Sequence, residues 1–148
     1  MHPELPYLLR ILAAAGLAAL LGFERERAHK PAGLRTHMLV GIAAALYTSL
    51  AELSVRGFEG GADPIRAIQA VALGVGFLGG GMIVTRRDGE DVKGLTTAAS
   101  IWATAAVGIA CGFAHYVLAI GVTVLLLVVL RLLMWFDRSE AERESAGG

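Results

Sequence analysis

Between two apolar stretches of the 148-residue chain lies GFERERAHKPAGLRTH, Gly22 to His37, which carries Arg25, Arg27, Lys30 and Arg35 with the acidic pair Glu24 and Glu26. Side chains of these types can move protons, hold a cation, or form ion pairs that meet an anion. A metal cradle built on His29 and His37 needs a further ligand at the right spacing, and none stands nearby. Asp88, Glu90 and Asp91 in RRDGEDVKG could attract a hard divalent cation. Three carboxylates beside Arg86, Arg87 and Lys93 read instead as a solvated loop. There is no HExxH, GxSxG or CxxC motif and no nucleophile beside a base. The expectation is therefore not an enzyme, with no metal site and no cofactor, leaving Mg2+ open as a ligand or signal.

Gly74 to Gly79, GVGFLG, spells the dinucleotide-binding pattern, which works only where a strand turns into a helix and exposes amides to a pyrophosphate. Here it lies inside an apolar run with no strand before it. Small residues at Ala70 and Gly74, and at Gly76 and Gly80, let helix backbones approach closely in lipid. Gly79, Gly80 and Gly81 in a row weaken a helix by about 1 kcal/mol each relative to alanine. Close packing is the preferred reading, and a break in the helix there is the alternative. Gly108 and Gly112 form another such pair. The expectation is a tight bundle that could also dimerise.

Lys93, Gly94, Thr96, Thr97 and Ser100 open a further apolar run that also carries Trp102. The hydroxyls can cap the helix and bond its neighbours. Its free amides can instead face an anion or a carboxylate, with Glu24 or Glu26 as candidates. Asp63 and Pro64 are a good cap and first-turn pair. The residues expected to bind a ligand or partner are Glu24, Arg25, Glu26, Arg35, Thr36, His37, Asp63, Arg66, Lys93, Gly94, Thr96, Thr97 and Trp102.

The elements that must position them are helices in a membrane. Hydrophobic content is 55% with a mean hydropathy of +0.62, and a bilayer core of about 30 Å needs about 20 apolar residues per span. Candidates are Leu5–Phe23, Leu34–Leu53 and Ile65–Thr85. From Leu95 to Leu130 no Asp, Glu, Lys or Arg occurs for 36 residues, which as one helix would reach roughly 54 Å. The run must turn, best at Gly112 to Tyr116, giving spans at Leu95–Gly112 and Tyr116 to about Phe136. The prediction is an all-α membrane bundle of about five spans over residues 1–136, followed by a short polar tail at 137–148. Ala13, Ala14 and Ala15 mimic a signal-cleavage site, but His2-Pro3-Glu4 supplies no basic leader, so cleavage is not expected.

Ten basic residues (Arg25, Arg27, Lys30, Arg35, Arg86, Arg87, Lys93, Arg131, Arg138, Arg143) fall on one side of such a bundle, against Arg56 and Arg66 on the other, with Arg10 a turn inside. That bias puts the N-terminus out and the C-terminus in. The 13 basic and 13 acidic residues balance, so no field draws nucleic acid. The lone Cys111 lies in an apolar run and reads as a small buried hydrophobe.

In order along the chain, Gly22-Phe23-Glu24-Arg25-Glu26, Ala32-Gly33-Leu34-Arg35-Thr36-His37, Asp63-Pro64 with Arg66, GVGFLGGG, and Lys93-Gly94-Leu95-Thr96-Thr97-Ala98-Ala99 with Trp102 resemble the MgtC/SapB family over about residues 16–123. The resemblance implies a multi-pass domain of the bacterial inner membrane and a link to survival when magnesium is scarce. For the family's virulence members it also implies an inhibitory interaction with the F-type ATP synthase. Those members carry Asn where Thr96 stands and Cys where Ala103 stands, and their soluble C-terminal domain is not expected here. Gln69 sits one place before the usual glutamine. The function expected is regulatory, through a polar site on the cytoplasmic side, with an ion transporter or channel as the alternative.

Overall fold

In the computed structural model the described residues form a bundle of five helices: α1 (Leu5–Arg27), α2 (Leu34–Arg56), α3 (Pro64–Gly81), α4 (Leu95–Gly112) and α5 (Tyr116–Ala146). The structure describes residues 4–56, 63–85 and 92–146, with side chains as far as Leu132 apart from those of Arg56, Val84, Thr85 and Val92. Asp88, Glu90 and Asp91, together with Arg86 and Arg87, lie outside the described residues. Four of the helices are long and apolar enough to cross a membrane, and α5 adds an apolar stretch over Tyr116–Leu132. Leu12, Leu73, Phe77 and Val117 are exposed on the outer surface, where lipid is the solvent that suits them. The protein is a multi-pass membrane protein.

Consecutive helices reverse direction, so the α1–α2 loop, the α3–α4 connection and Arg131 share one end of the bundle, here termed the basic end. α1, α2 and α4 form the central packed trio, with α3 laid against α2 and α4, and α5 against α4 and α1. Small residues make this trio tight. A Cβ on Gly22 would lie 2.7 Å from the Leu34 Cα, and one on Gly108 would lie 2.5 Å from the Gly41 carbonyl oxygen. A Cβ on Gly112 would overlap Thr48 Oγ1. These glycines let α2 meet α1 and α4 backbone to backbone, where dispersion and close approach supply what the hydrophobic effect cannot in lipid. Buried Ala14, Leu21, Ala45, Val107, Cys111, Ala119 and Leu130 form one core cluster; Val40, Ala44, Val71, Val75, Ile101 and Ala105 belong to another on the α3 side.

Hydroxyls in the spans bond back to their own helices: Thr48 Oγ1 donates to the Ala44 carbonyl, Thr104 Oγ1 to Ser100 and Thr123 Oγ1 to Ala119, at 2.8–2.9 Å. No hydroxyl among them is left bare to hydrocarbon.

One expected boundary changes, and two features are new. The third helix is unbroken through Gly79 and Gly80, and it stops at Gly81, where the Met82 amide bonds to the Gly79 carbonyl; the span does not reach Thr85. A two-residue antiparallel ladder, Val84 opposite Lys93 and Thr85 opposite Val92, follows it. α5 continues as helix to Ala146, so the start of the polar tail at 137 is not a helix boundary. Elsewhere the boundaries agree within a turn. The reversal between α4 and α5 falls at Phe113–His115, with Ala114 in the left-handed region at φ 60°.

Candidate functional site: a polar cluster at the basic end

α1 ends where its last turn becomes charged. Arg25 Nε donates to Glu24 Oε2 at 2.5 Å and Nη2 to Oε1 at 2.8 Å, a bidentate pair between chain neighbours. Both side chains are buried, Arg25 at 1% exposure. Two charges so placed tolerate burial because each neutralises the other and the hydrogen bonds replace water. After Ala28 the chain turns through His29, φ 53°. The His29 amide bonds to the Glu26 carbonyl and the Lys30 amide to the Arg25 carbonyl, both at 3.0 Å, a Schellman closure that brings the loop back over the helix end.

Glu26 serves a different helix. Its Oε2 accepts from the Leu34 amide at 2.9 Å, capping the amino end of α2, and a Cβ on Gly33 would come within 2.8 Å of that oxygen. Gly33 is therefore a place where the carboxylate needs an absent side chain. Neither Glu24 nor Glu26 is found on the amino end of α4, where the sequence suggested one could lie; each is engaged nearer home.

One turn into α2, His37 is fully buried between Gly33 and α4. Its Nδ1 lies 3.0 Å from the Gly33 carbonyl and its Nε2 3.2 Å from Ser100 Oγ. A carbonyl only accepts, so Nδ1 carries the proton toward Gly33, and in the neutral ring Nε2 accepts from Ser100. The same hydroxyl sits 2.8 Å from the Thr97 carbonyl and is shared between the two. This bridge ties α2 to the second turn of α4.

α4 opens at Gly94, φ 92°, with no side chain bonded to its first amides among the described residues. A Cβ there would overlap the Met82 carbonyl oxygen, so the turn from the ladder into α4 requires glycine. Around this helix end is a half-open cavity of about 550 Å³, lined by Arg25, Lys30, Thr96 and Ser100 and by aliphatic side chains of α1, α4 and α5.

The structure thus gathers Glu24, Arg25, Glu26, His37, Thr96, Thr97, Lys93 and Gly94 at one end. Arg35 is exposed and Thr36 half-buried on the first turn of α2. Two expected members belong elsewhere. Asp63 caps α3 through Oδ1 to the Ile65 amide at 2.9 Å, and exposed Arg66 follows it. Both sit at the far end, separated from the cluster by an 18-residue helix, about 27 Å of rise. Trp102 is half-exposed on the outer side of α4. The glycines expected to pack also divide: Gly79 meets Ala98, and Gly108 and Gly112 meet α2, whereas a Cβ on Gly74, Gly76 or Gly80 would touch nothing within 4 Å.

Sequence reading missed a second polar cluster. At the far end Arg10 Nη1 donates to Glu52 Oε2 at 2.5 Å and to the Gly112 carbonyl at 2.8 Å, and its guanidinium lies 4.7 Å above the Tyr7 ring. The clue was equal depth: Arg10 is a little over a turn from the start of α1 and Glu52 a turn from the end of α2, so antiparallel packing puts them level. Among the described residues no three His, Cys, Asp or Glu side chains come together as a metal site.

No solved structure matches the chain. The protein called "Putative magnesium transporter YhiD" of Escherichia coli strain K12 is 38% identical over 130 residues, 85% of this chain and 60% of that protein. Protein MgtC of Salmonella typhimurium strain 14028s is 38% identical over 122 residues, covering 82% of this chain and 50% of its own length. Protein MgtC of Brucella abortus is 40% identical over 117 residues, 79% of this chain and 47% of its own. The chain spans about half to three-fifths of the length of these relatives. With residues 11–139 also matching the family model, the chain belongs to the MgtC family.

Proposed function

We infer that the protein is a regulatory membrane protein linked to magnesium homeostasis, working through its basic end, which faces the cytoplasm of a bacterial inner membrane and receives a membrane partner or a ligand. The positive-inside bias supports the orientation, and the names of the relatives support the magnesium link. One observation carries the regulatory reading: the carboxylates of the described spans are all engaged, Glu24 by Arg25, Glu26 by the α2 amide and Glu52 by Arg10. A cation pathway through a bilayer needs carboxylates or carbonyls turned toward the ion. Glu24 and Glu52 instead neutralise arginines of the protein itself and Glu26 caps α2, while the surface of the basic end bears Lys30, Arg35 and Thr96. Partners of the kind proposed for the family, such as the F-type ATP synthase, would dock there.

The test pairs two measurements. Full-length protein in liposomes should pass no more Mg2+ than empty liposomes. A strain carrying Glu24→Gln should lose growth at low magnesium while the variant accumulates in the membrane at the wild-type level. Mg2+ flux above the empty control would establish the transporter reading instead, and unimpaired growth of the variant would remove the basic end from the function.

A further inference from the structure

The cavity at the basic end has a mixed lining. Its polar lining is Arg25, Lys30, Thr96 and Ser100; its aliphatic lining includes Leu21 of α1 and Leu126, Val129 and Leu130 of α5. Its volume of about 550 Å³ is within the range of small-molecule sites, about 300–1,000 Å³. Arg25 is the informative member. Glu24 takes only Nε and Nη2, so among the described residues Nη1 makes no hydrogen bond, although the side chain is 1% exposed and lines the cavity. A guanidinium carries five N–H donors, and one edge of this one is spent on Glu24 while the other faces the space. Lys30, which lines the same cavity, adds an ammonium that forms no ion pair among the described residues. The first amides of α4, which no side chain caps among the described residues, add partial positive charge.

The charge calls for an anion with several acceptor oxygens, and the aliphatic lining calls for something a free anion does not have. The level of the site matters as well: Arg27 folds over the Phe23 ring at 4.6 Å, the arrangement of a cation held where hydrocarbon gives way to headgroups. We propose that this cavity binds one anionic phospholipid, its phosphate held by Arg25 Nη1, Lys30 and the amino end of α4, and an acyl chain lying along Leu126, Val129 and Leu130. Basic pockets between membrane helices recognise such headgroups by the same physics. The proposal rests on the reading of the basic end as the working end and names its ligand. A bound lipid would bridge α1, α4 and α5, so lipid composition would set how firmly α5 is held against the bundle.

Native mass spectrometry of the full chain in detergent, titrated with dioleoyl phosphatidylglycerol, dioleoyl phosphatidylcholine or inorganic phosphate, tests it. The expected result is a one-to-one adduct with phosphatidylglycerol that phosphatidylcholine does not match and phosphate does not displace. Lys30→Glu, at an exposed position, should weaken that adduct about tenfold, and Ala99→Trp, which fills the cavity from its exposed wall, should abolish it. Equal binding of phosphatidylcholine, displacement by inorganic phosphate, or indifference to both substitutions in folded protein would each overturn the assignment. Growth of the Glu24→Gln strain tests the working end and these adducts test the ligand, so either can fail alone.

Discussion

Replacing Gly108 by alanine should destabilise the bundle, whereas the same change at Gly76 should stabilise it. A Cβ at Gly108 would stand 2.5 Å from the Gly41 carbonyl oxygen, 2.9 Å from the Ala44 Cβ and 3.1 Å from the Gly41 Cα. Two of these are backbone atoms and the third is a methyl group fixed to the backbone, so none can swing aside. α2 and α4 must part by about 1 Å to restore ordinary contact, and overpacking of that kind costs about 1–3 kcal/mol. Alanine returns about 1 kcal/mol of helix propensity, leaving a net loss on the order of 1–2 kcal/mol. At Gly76 the added methyl meets nothing within 4 Å, so only the propensity gain of about 1 kcal/mol remains. Cys111 offers the assay: it is the chain's single cysteine and fully buried, so a thiol-reactive dye reports the opening of the α2–α4 seam during a thermal ramp. Gly108→Ala should lower the midpoint by roughly 3–8 °C and Gly76→Ala should raise it by a smaller amount. A Gly108→Ala protein that melts like the parent would refute the backbone-to-backbone seam. Destabilisation by Gly76→Ala would mean that the open face of α3 is covered by another molecule.

Two further substitutions probe other elements. Ala114→Gly relieves a left-handed alanine at the α4 C-terminus, where the His115 amide bonds to the Ala110 carbonyl and the Ala114 amide to the Cys111 carbonyl, and it should add about 1 kcal/mol in the same melt. Glu52→Gln leaves the Arg10 guanidinium without its counter-charge in a mostly buried setting and should cost about 3 kcal/mol, while Arg10→Met with Glu52→Leu should recover most of it; additive losses in that cycle would mean the pair does not couple.

Much of the topology was legible because hydropathy and chain length act locally. The charge-free run from Leu95 to Leu130 could not be a single span, and the small residues near Gly112 marked its turn. Asp63-Pro64 could be recognised as a cap and first-turn residue from identity alone. The end of α3 was placed too late because apolar Met82, Ile83 and Val84 continue the hydropathy of the span, whereas the helix stops where consecutive glycines no longer favour it. The partners of the acidic residues were hidden for a different reason. Glu24 bonds to its own neighbour, and Glu26 reaches eight residues on to the Leu34 amide, choices decided by the turn at His29. His37 and Ser100 are 63 residues apart, and Arg10 and Glu52 are 42 apart. Such pairs become visible only when helix depth is compared across neighbouring helices, antiparallel for Arg10 and Glu52 and parallel for His37 and Ser100. The glycine motifs were read uniformly, yet Gly108 and Gly112 lie in a seam, Gly74 borders an apolar groove against α2, and Gly76 and Gly80 meet nothing within 4 Å among the described residues; nothing in the spacing itself distinguishes them.

The seam between α2 and α4 has a mechanical consequence. Gly41 interlocks with Gly108 and Thr48 with Gly112, while His37–Ser100 pins one end and Arg10, reaching both Glu52 and the Gly112 carbonyl, pins the other. Sliding one helix along the other by a single residue would drive a side chain into backbone at the interlocked positions and break the fastenings at both ends. α1, α2 and α4 therefore behave as a stiff keel, and any change of shape in the membrane must be carried by the planks fixed to its sides: α3, whose Gly76 and Gly80 meet nothing within 4 Å among the described residues, and α5.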